Sequence, residues 1–198
     1  STLFNSLTIN VYAKENERTV HHGIISRIGA ISIYLGFLLT VTLFLKPDRA
    51  FTGIILGGSL MFFTGLVDDL IDIKPIVKLV LQIVAAGILI FHGVCVDSIH
   101  LPFGIIINNQ IFSILFTVIW IAGITNAINL IDGLDGLAGG MSVIMLVVIG
   151  SVAIIERRMD VAMITFILAS STTGFLVYNA HPASIFMGDC GSLFLGFM

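Results

Sequence analysis

Six stretches of this chain, residues 28–45, 50–67, 76–91, 111–128, 137–155 and 161–178, are almost wholly apolar, and a seventh begins near Ile185. An apolar run of about 18 residues is long enough for a helix to cross a bilayer. In hydrocarbon every backbone N–H and C=O must be satisfied internally, which leaves only helices or closed barrels. These runs lack the polar alternation of barrel strands. The expected fold is therefore all-α, a polytopic transmembrane helical bundle of about seven spans. Composition agrees: 57% of the 198 residues are hydrophobic and 11% charged, where a soluble domain carries roughly a quarter charged. The net charge of -3 offers no basic surface for nucleic acid. Cys95 and Cys190 imply no disulfide framework; they and the mid-span Trp120 read as packing residues. Both ends read as cuts, so the expected organisation is a single domain over 1–198 that lacks flanking helices.

The polar segments between the runs fall on alternating sides. With the segment 14–27 on side one, Lys46 to Arg49, the loop 93–110 and Glu156 to Asp160 lie on side two. Asp68 to Asp72, Asn129 to Asp135 and Asn179 to Ser192 all return to side one. Basic residues number five on side one and four on side two, a weak positive-inside signal.

Three acidic groupings on side one carry chemistry. Asp68, Asp69 and Asp72 sit at a span end, where neighbouring carboxylates repel unless a cation neutralises them. Such a set could hold Mg²⁺ through phosphates or act as a general base; it could equally be a solvated acidic loop at a helix start. Asn129, Asp132 and Asp135 are spaced by three, within Asn126-Ala-Ile-Asn129-Leu-Ile-Asp132-Gly-Leu-Asp135-Gly. That spacing lines one helix face, or fans toward one point at a helix start. Oxygen donors of this kind suit Mg²⁺, and the plain alternative is that Asp135 caps the next helix. Met187-Gly-Asp189-Cys-Gly-Ser192 sets a lone acid between glycines before an apolar span. It could be a metal ligand, or simply a cap. Asn179, His181 and Pro182 before it could form a turn. Arg18, His21, His22 and Arg27 form a basic patch that suits phosphate or lipid headgroups.

Taken in order, His21-His-Gly-Ile-Ile-Ser-Arg27-Ile-Gly29, Gly65-Leu-Val-Asp-Asp69-Leu-Ile-Asp72, residues 126–140 and Phe186-Met-Gly-Asp189-Cys-Gly-Ser192 resemble the polyprenyl-phosphate N-acetylhexosamine-1-phosphate transferases. The likeness is strongest to the branch that moves GlcNAc-1-phosphate onto undecaprenyl phosphate. The resemblance implies an enzyme that starts wall or surface polysaccharide synthesis at the cytoplasmic face of a bacterial membrane. It implies Mg²⁺, with Mn²⁺ as a substitute, held by Asn129 and Asp189. It implies catalytic work for Asp68, Asp69, Asp132 and Asp135, and substrate contacts from His21, Arg27, Asp72, Asn179 and Phe186. It further implies a UDP-N-acetylhexosamine donor, an undecaprenyl phosphate acceptor, a lipid bilayer around the protein, and a homodimer as an available state. The chain departs from the family pattern at Ser26, where Pro is usual, and at Ala30, where Gly often stands. A phospho-MurNAc-pentapeptide or other N-acetylhexosamine donor is the nearest alternative. A non-catalytic polyprenyl-phosphate binder or a cation transporter is the alternative from another class. A transporter, however, places its acids near the bilayer midplane, whereas these stand at span ends.

Overall fold

The computed structural model describes residues 29–46, 48–96, 99–100, 106–107 and 109–198. Among the described residues seven helices follow in order: α1 (Ala30–Phe44), α2 (Arg49–Ile71), α3 (Pro75–Phe91), α4 (Gln110–Ile131), α5 (Leu137–Ile155), α6 (Met159–Asn179) and α7 (Gly188–Phe197). Between α3 and α4 two-residue strands, β1 (Ile99–His100) and β2 (Ile106–Ile107), pair antiparallel. The protein is an all-α, multi-pass membrane protein. Helices α2, α4, α5 and α6 are long and apolar enough to cross a bilayer, while α1 and α3 are shorter apolar helices. The seventh run forms α7 from Gly188 onward.

Local chemistry sets the helix starts. Asp48 caps α2 by accepting from Phe51 N at 2.7 Å, and Asn109 caps α4 by accepting from Ile111 N and Phe112 N. Pro75 opens α3, where its missing N–H is not needed. Within the helices, hydroxyls such as Thr64, Ser151 and Thr172 donate to the carbonyl four residues back, which satisfies them without water.

The outward faces carry Leu39, Phe63, Ile119, Ile144 and Val177, all exposed as in a lipid-facing bundle. Trp120 belongs to this outer face and is 57% exposed, against the expectation of a core position. In a bilayer the outside is as apolar as the inside, so a large apolar side chain in mid-span carries no burial signal. It stacks in a file with Phe116, which stacks in turn on Phe112.

Helix α7 is the axis of the bundle and packs against α1, α2, α4 and α5. Cys190 to Phe197 are all buried. Phe194 meets Phe37 and Tyr34 edge-on, and Tyr34 stacks on Phe62 with ring centroids 4.0 Å apart. Two glycines admit α7 to this position. A Cβ on Gly65 of α2 would overlap the Asp189 carbonyl, and a Cβ on Gly196 would stand 2.7 Å from Thr125 Cα on α4. Small residues at helix interfaces permit such close backbone approach in membranes.

Candidate active site

The start of α7 creates the site. Its first N–H groups lack intrahelical partners, and inside a bundle they need an acceptor. Asp69, at the end of α2 and 8% exposed, supplies it: Oδ1 accepts from Asp189 N at 2.9 Å and Oδ2 from Cys190 N at 3.0 Å. The carboxylate caps a helix 120 residues away in sequence, and its charge suits the positive end of the helix dipole.

Asp68, next along α2, faces a different partner. Its Oδ1 accepts from Ile73 N at 2.8 Å and its Oδ2 from Lys78 Nζ at 2.7 Å. Lys78 also reaches Asp189 Oδ2 at 2.8 Å, so one ammonium bridges two carboxylates from different motifs. Asn129, on the last turn of α4, donates from Nδ2 to Ser192 Oγ at 2.8 Å, one turn on from Asp189 in α7. Asp132 follows directly after α4. It is half-buried, and among the described residues no donor reaches its carboxylate. Burial, together with the nearby Asp189 and Asp69 charges, pushes its carboxyl up to about 7.

The structure therefore gathers Asp68, Asp69, Asn129, Asp132 and Asp189 at one end of the bundle. It does not lay Asn129, Asp132 and Asp135 along one helix face. Helix α4 ends at Ile131, and a turn carries Asp132 to Gly136 into α5. Asp135 does not cap α5 either, because that helix has Gly136 at its N-cap without a side-chain bond. Its Oδ2 instead accepts from Ala183 N at 3.1 Å and lies 3.0 Å from His181 Nδ1. Asn179 uses both ends of its amide as a clasp: Oδ1 accepts from Gly136 N and Nδ2 donates to Ile185 O. Phe186 anchors the start of α1 through its carbonyl, which accepts from Gly29 N. Asp72 stands exposed in a left-handed conformation at the end of α2 (φ 56°), apart from the cluster. His21 and Arg27 lie outside the described residues. Cys190 is packing, as expected, with Sγ on Met187 O at 3.5 Å, and neither cysteine forms a disulfide.

Lys78 is the site residue that sequence reading passed over. Its signal was present, because a cation near the start of a helix faces the unfavourable end of the helix dipole and so needs a partner elsewhere. Ser192 stood inside a recognised motif but carried no signal of its own.

Among the described residues no three Asp, Glu, His or Cys side chains form a ready metal cage. Mg²⁺ rarely uses one; it takes one or two carboxylates and completes its shell with water and substrate phosphate. Asp189, Asn129 and the donor-free Asp132 fit that mode. Among the described residues four carboxylates share the region with a single ammonium.

Fold and site together define a polytopic helical membrane protein with an acidic, oxygen-rich site at one end of its bundle. Residues 51–198 match the family model described as Glycosyl transferase family 4, and the chain belongs to that family. It is 37% identical to the probable undecaprenyl-phosphate N-acetylglucosaminyl 1-phosphate transferase of Bacillus subtilis, over 97% of this chain and 54% of that protein. It is 36% identical to the decaprenyl-phosphate N-acetylglucosaminephosphotransferase of Mycobacterium leprae, over 96% and 53%. It is 35% identical to the phospho-N-acetylmuramoyl-pentapeptide-transferase of Streptococcus uberis, over 85% and 54%. The chain spans about half the length of these curated relatives.

Proposed function

We propose that this chain carries the catalytic core of a polyprenyl-phosphate N-acetylhexosamine-1-phosphate transferase. Its donor is UDP-GlcNAc, its acceptor undecaprenyl phosphate, and its site faces the cytoplasm at the bacterial inner membrane. An acceptor phosphate oxygen attacks the β-phosphorus of the donor, the bond to the α-phosphate oxygen breaks, and UMP leaves. The observation that carries this reading is the meeting of Asp68, Lys78, Asn129 and Asp189 at the Asp69-capped start of α7.

In this reading the acidic pair divides its work. Asp69 is a positioning residue that holds the α7 N-terminus, and with it Asp189. Asp68 holds the Lys78 ammonium on the acceptor side, where it meets the phosphate; a strong base is unnecessary, because a phosphate monoester is already largely ionised near neutral pH. Lys78 exchanges one carboxylate for a phosphate oxygen when substrate arrives. Asp189 and Asn129, with Asp132 beside them, would hold Mg²⁺. When bound, the ion supplies neutralisation of the diphosphate, the main catalytic demand in phosphoryl transfer.

The test uses membranes bearing the full-length protein, radiolabelled UDP-GlcNAc, undecaprenyl phosphate and Mg²⁺. Label should enter a butanol-extractable lipid and be lost with EDTA and in Asp189→Ala. A second reading keeps the chemistry and changes the donor to UDP-MurNAc-pentapeptide, favoured by the Streptococcus uberis likeness. Labelled lipid from that donor alone would select it; lipid from neither, nor from any other UDP-N-acetylhexosamine, would refute the transferase reading.

A further inference from the structure

Gln82 lies one turn beyond Lys78 on α3 and is fully buried. Its amide meets that of Asn126 on α4, and the two exchange hydrogen bonds. Gln82 Nε2 donates to Asn126 Oδ1 at 3.2 Å, and Asn126 Nδ2 donates to Gln82 Oε1 at 2.8 Å. The Asn126 amide also donates to Ala122 O at 2.7 Å. Asn126 is on the exposed face of α4, where an unbonded amide would be heavily penalised in hydrocarbon. The two amides satisfy one another, each donating once and accepting once across the helix pair.

The position of this pair is the informative point. Gln82 follows Lys78 by four residues and Asn126 precedes Asn129 by three, so each shares a helix face with a site residue. The amide pair thus lies one turn below the Lys78 bridge and the Asn129–Ser192 bond. Helix α3 packs against α2 and α4, whereas Lys78 must reach Asp189 on α7. That reach depends on how α3 is set along α4. A slip of one residue moves Lys78 by about 1.5 Å, enough to break a hydrogen bond. Apolar side chains tolerate such sliding, whereas a reciprocal amide pair closes in one register only, as buried polar residues do in coiled coils.

We propose that the Gln82–Asn126 amide pair is the register lock of α3 on α4. It is the positioning element that holds the Lys78 ammonium between Asp68 and Asp189. The importance of that ammonium for turnover rests on the transferase reading; the lock itself does not.

The test reads Lys78 directly, by its acetylation rate with acetic anhydride in the full-length protein in detergent, followed by mass spectrometry. Asn126→Leu, on the exposed face, and Gln82→Leu should each raise the rate about threefold or more, the scale of one interhelical hydrogen bond. The exchange of both residues, Gln82→Asn with Asn126→Gln, should restore protection. Ser59→Ala, which removes the Tyr34–Ser59 bond between α1 and α2, should leave Lys78 as protected as in the native protein. If Gln82→Leu does not fold, Asn126→Leu alone decides. Native-like protection in folded Asn126→Leu overturns the lock, and so does equal deprotection by Ser59→Ala. Turnover measured on the same samples separates the two claims. Faster labelling with unchanged kcat and KM would sustain the lock and remove Lys78 from the transfer mechanism.

Discussion

Lys78 and Asp132 mark the two extremes of charge at this site. Lys78 is satisfied twice over, by Asp68 and Asp189, and its loss would leave both carboxylates facing each other. Lys78→Met is expected to lower kcat by about a hundredfold or more, the scale set by removing one electrostatic contact to a transition state; steady-state lipid formation measures it. Asp132 has the opposite problem, a carboxyl raised from 3.8 to about 7. The folded protein therefore holds a proton there that the unfolded chain has released. Stability from this group is full below 3.8, falls as pH rises towards about 7, and is level above that. Thermal melts in detergent should show that decline, and Asp132→Asn should flatten it. Sequence made Asp68, Asp69, Asn129 and Asp189 conspicuous because polar and ionisable groups are rare among membrane spans. It could not reveal that Asp69 is bound to the backbone of α7, because a carboxylate has the same composition whether it caps a helix or faces a substrate.

At the level of elements, α7 decides the site. A helix that starts inside a bundle must have its N-terminus satisfied by another element, and the Asp69 cap does this. Asp69→Ala is expected to cost about 1–2 kcal/mol, the range for lost N-caps, and to lower activity further by displacing Asp189; chemical denaturation and turnover on the same variant separate the two effects. Gly65→Ala should act through the same contact. Its Cβ would overlap the Asp189 carbonyl, so overpacking of about 1–3 kcal/mol is expected, visible as a lower melting temperature. Hydropathy reports only that a segment avoids water. A segment surrounded by other helices avoids water as well as one surrounded by lipid does. The same ambiguity hid Trp120, whose exposed ring faces outward.

Across the described residues, the helices bring the Asp68, Asn129 and Asp189 motifs to one end and leave Glu156 to Asp160 at the other. The alternation of sides in the sequence anticipated this, and the meeting of α2, α4 and α7 agrees with it. Exposed positions provide the check. In a cysteine-free background, Asp72→Cys and Arg157→Cys should react with a membrane-impermeant maleimide from opposite sides, and Asp72→Cys should react only from the cytoplasm. Labelling of both from the same side would refute the alternation of spans.

Sequence alone determined that the protein lives in a membrane, that it is helical, and which residues stand at the span ends. These properties follow from hydrophobicity and from the rise per residue, both local. Tertiary structure alone decided which polar atom satisfies which. Lys78 reaches an Asp189 that is 111 residues away, Asp69 closes α7, and Gln82 answers Asn126. Such pairings depend on how helices are set against one another to within about an ångström. In a bilayer, where every face is apolar, the hydrophobic pattern does not encode that setting; glycine notches and buried polar bonds supply it.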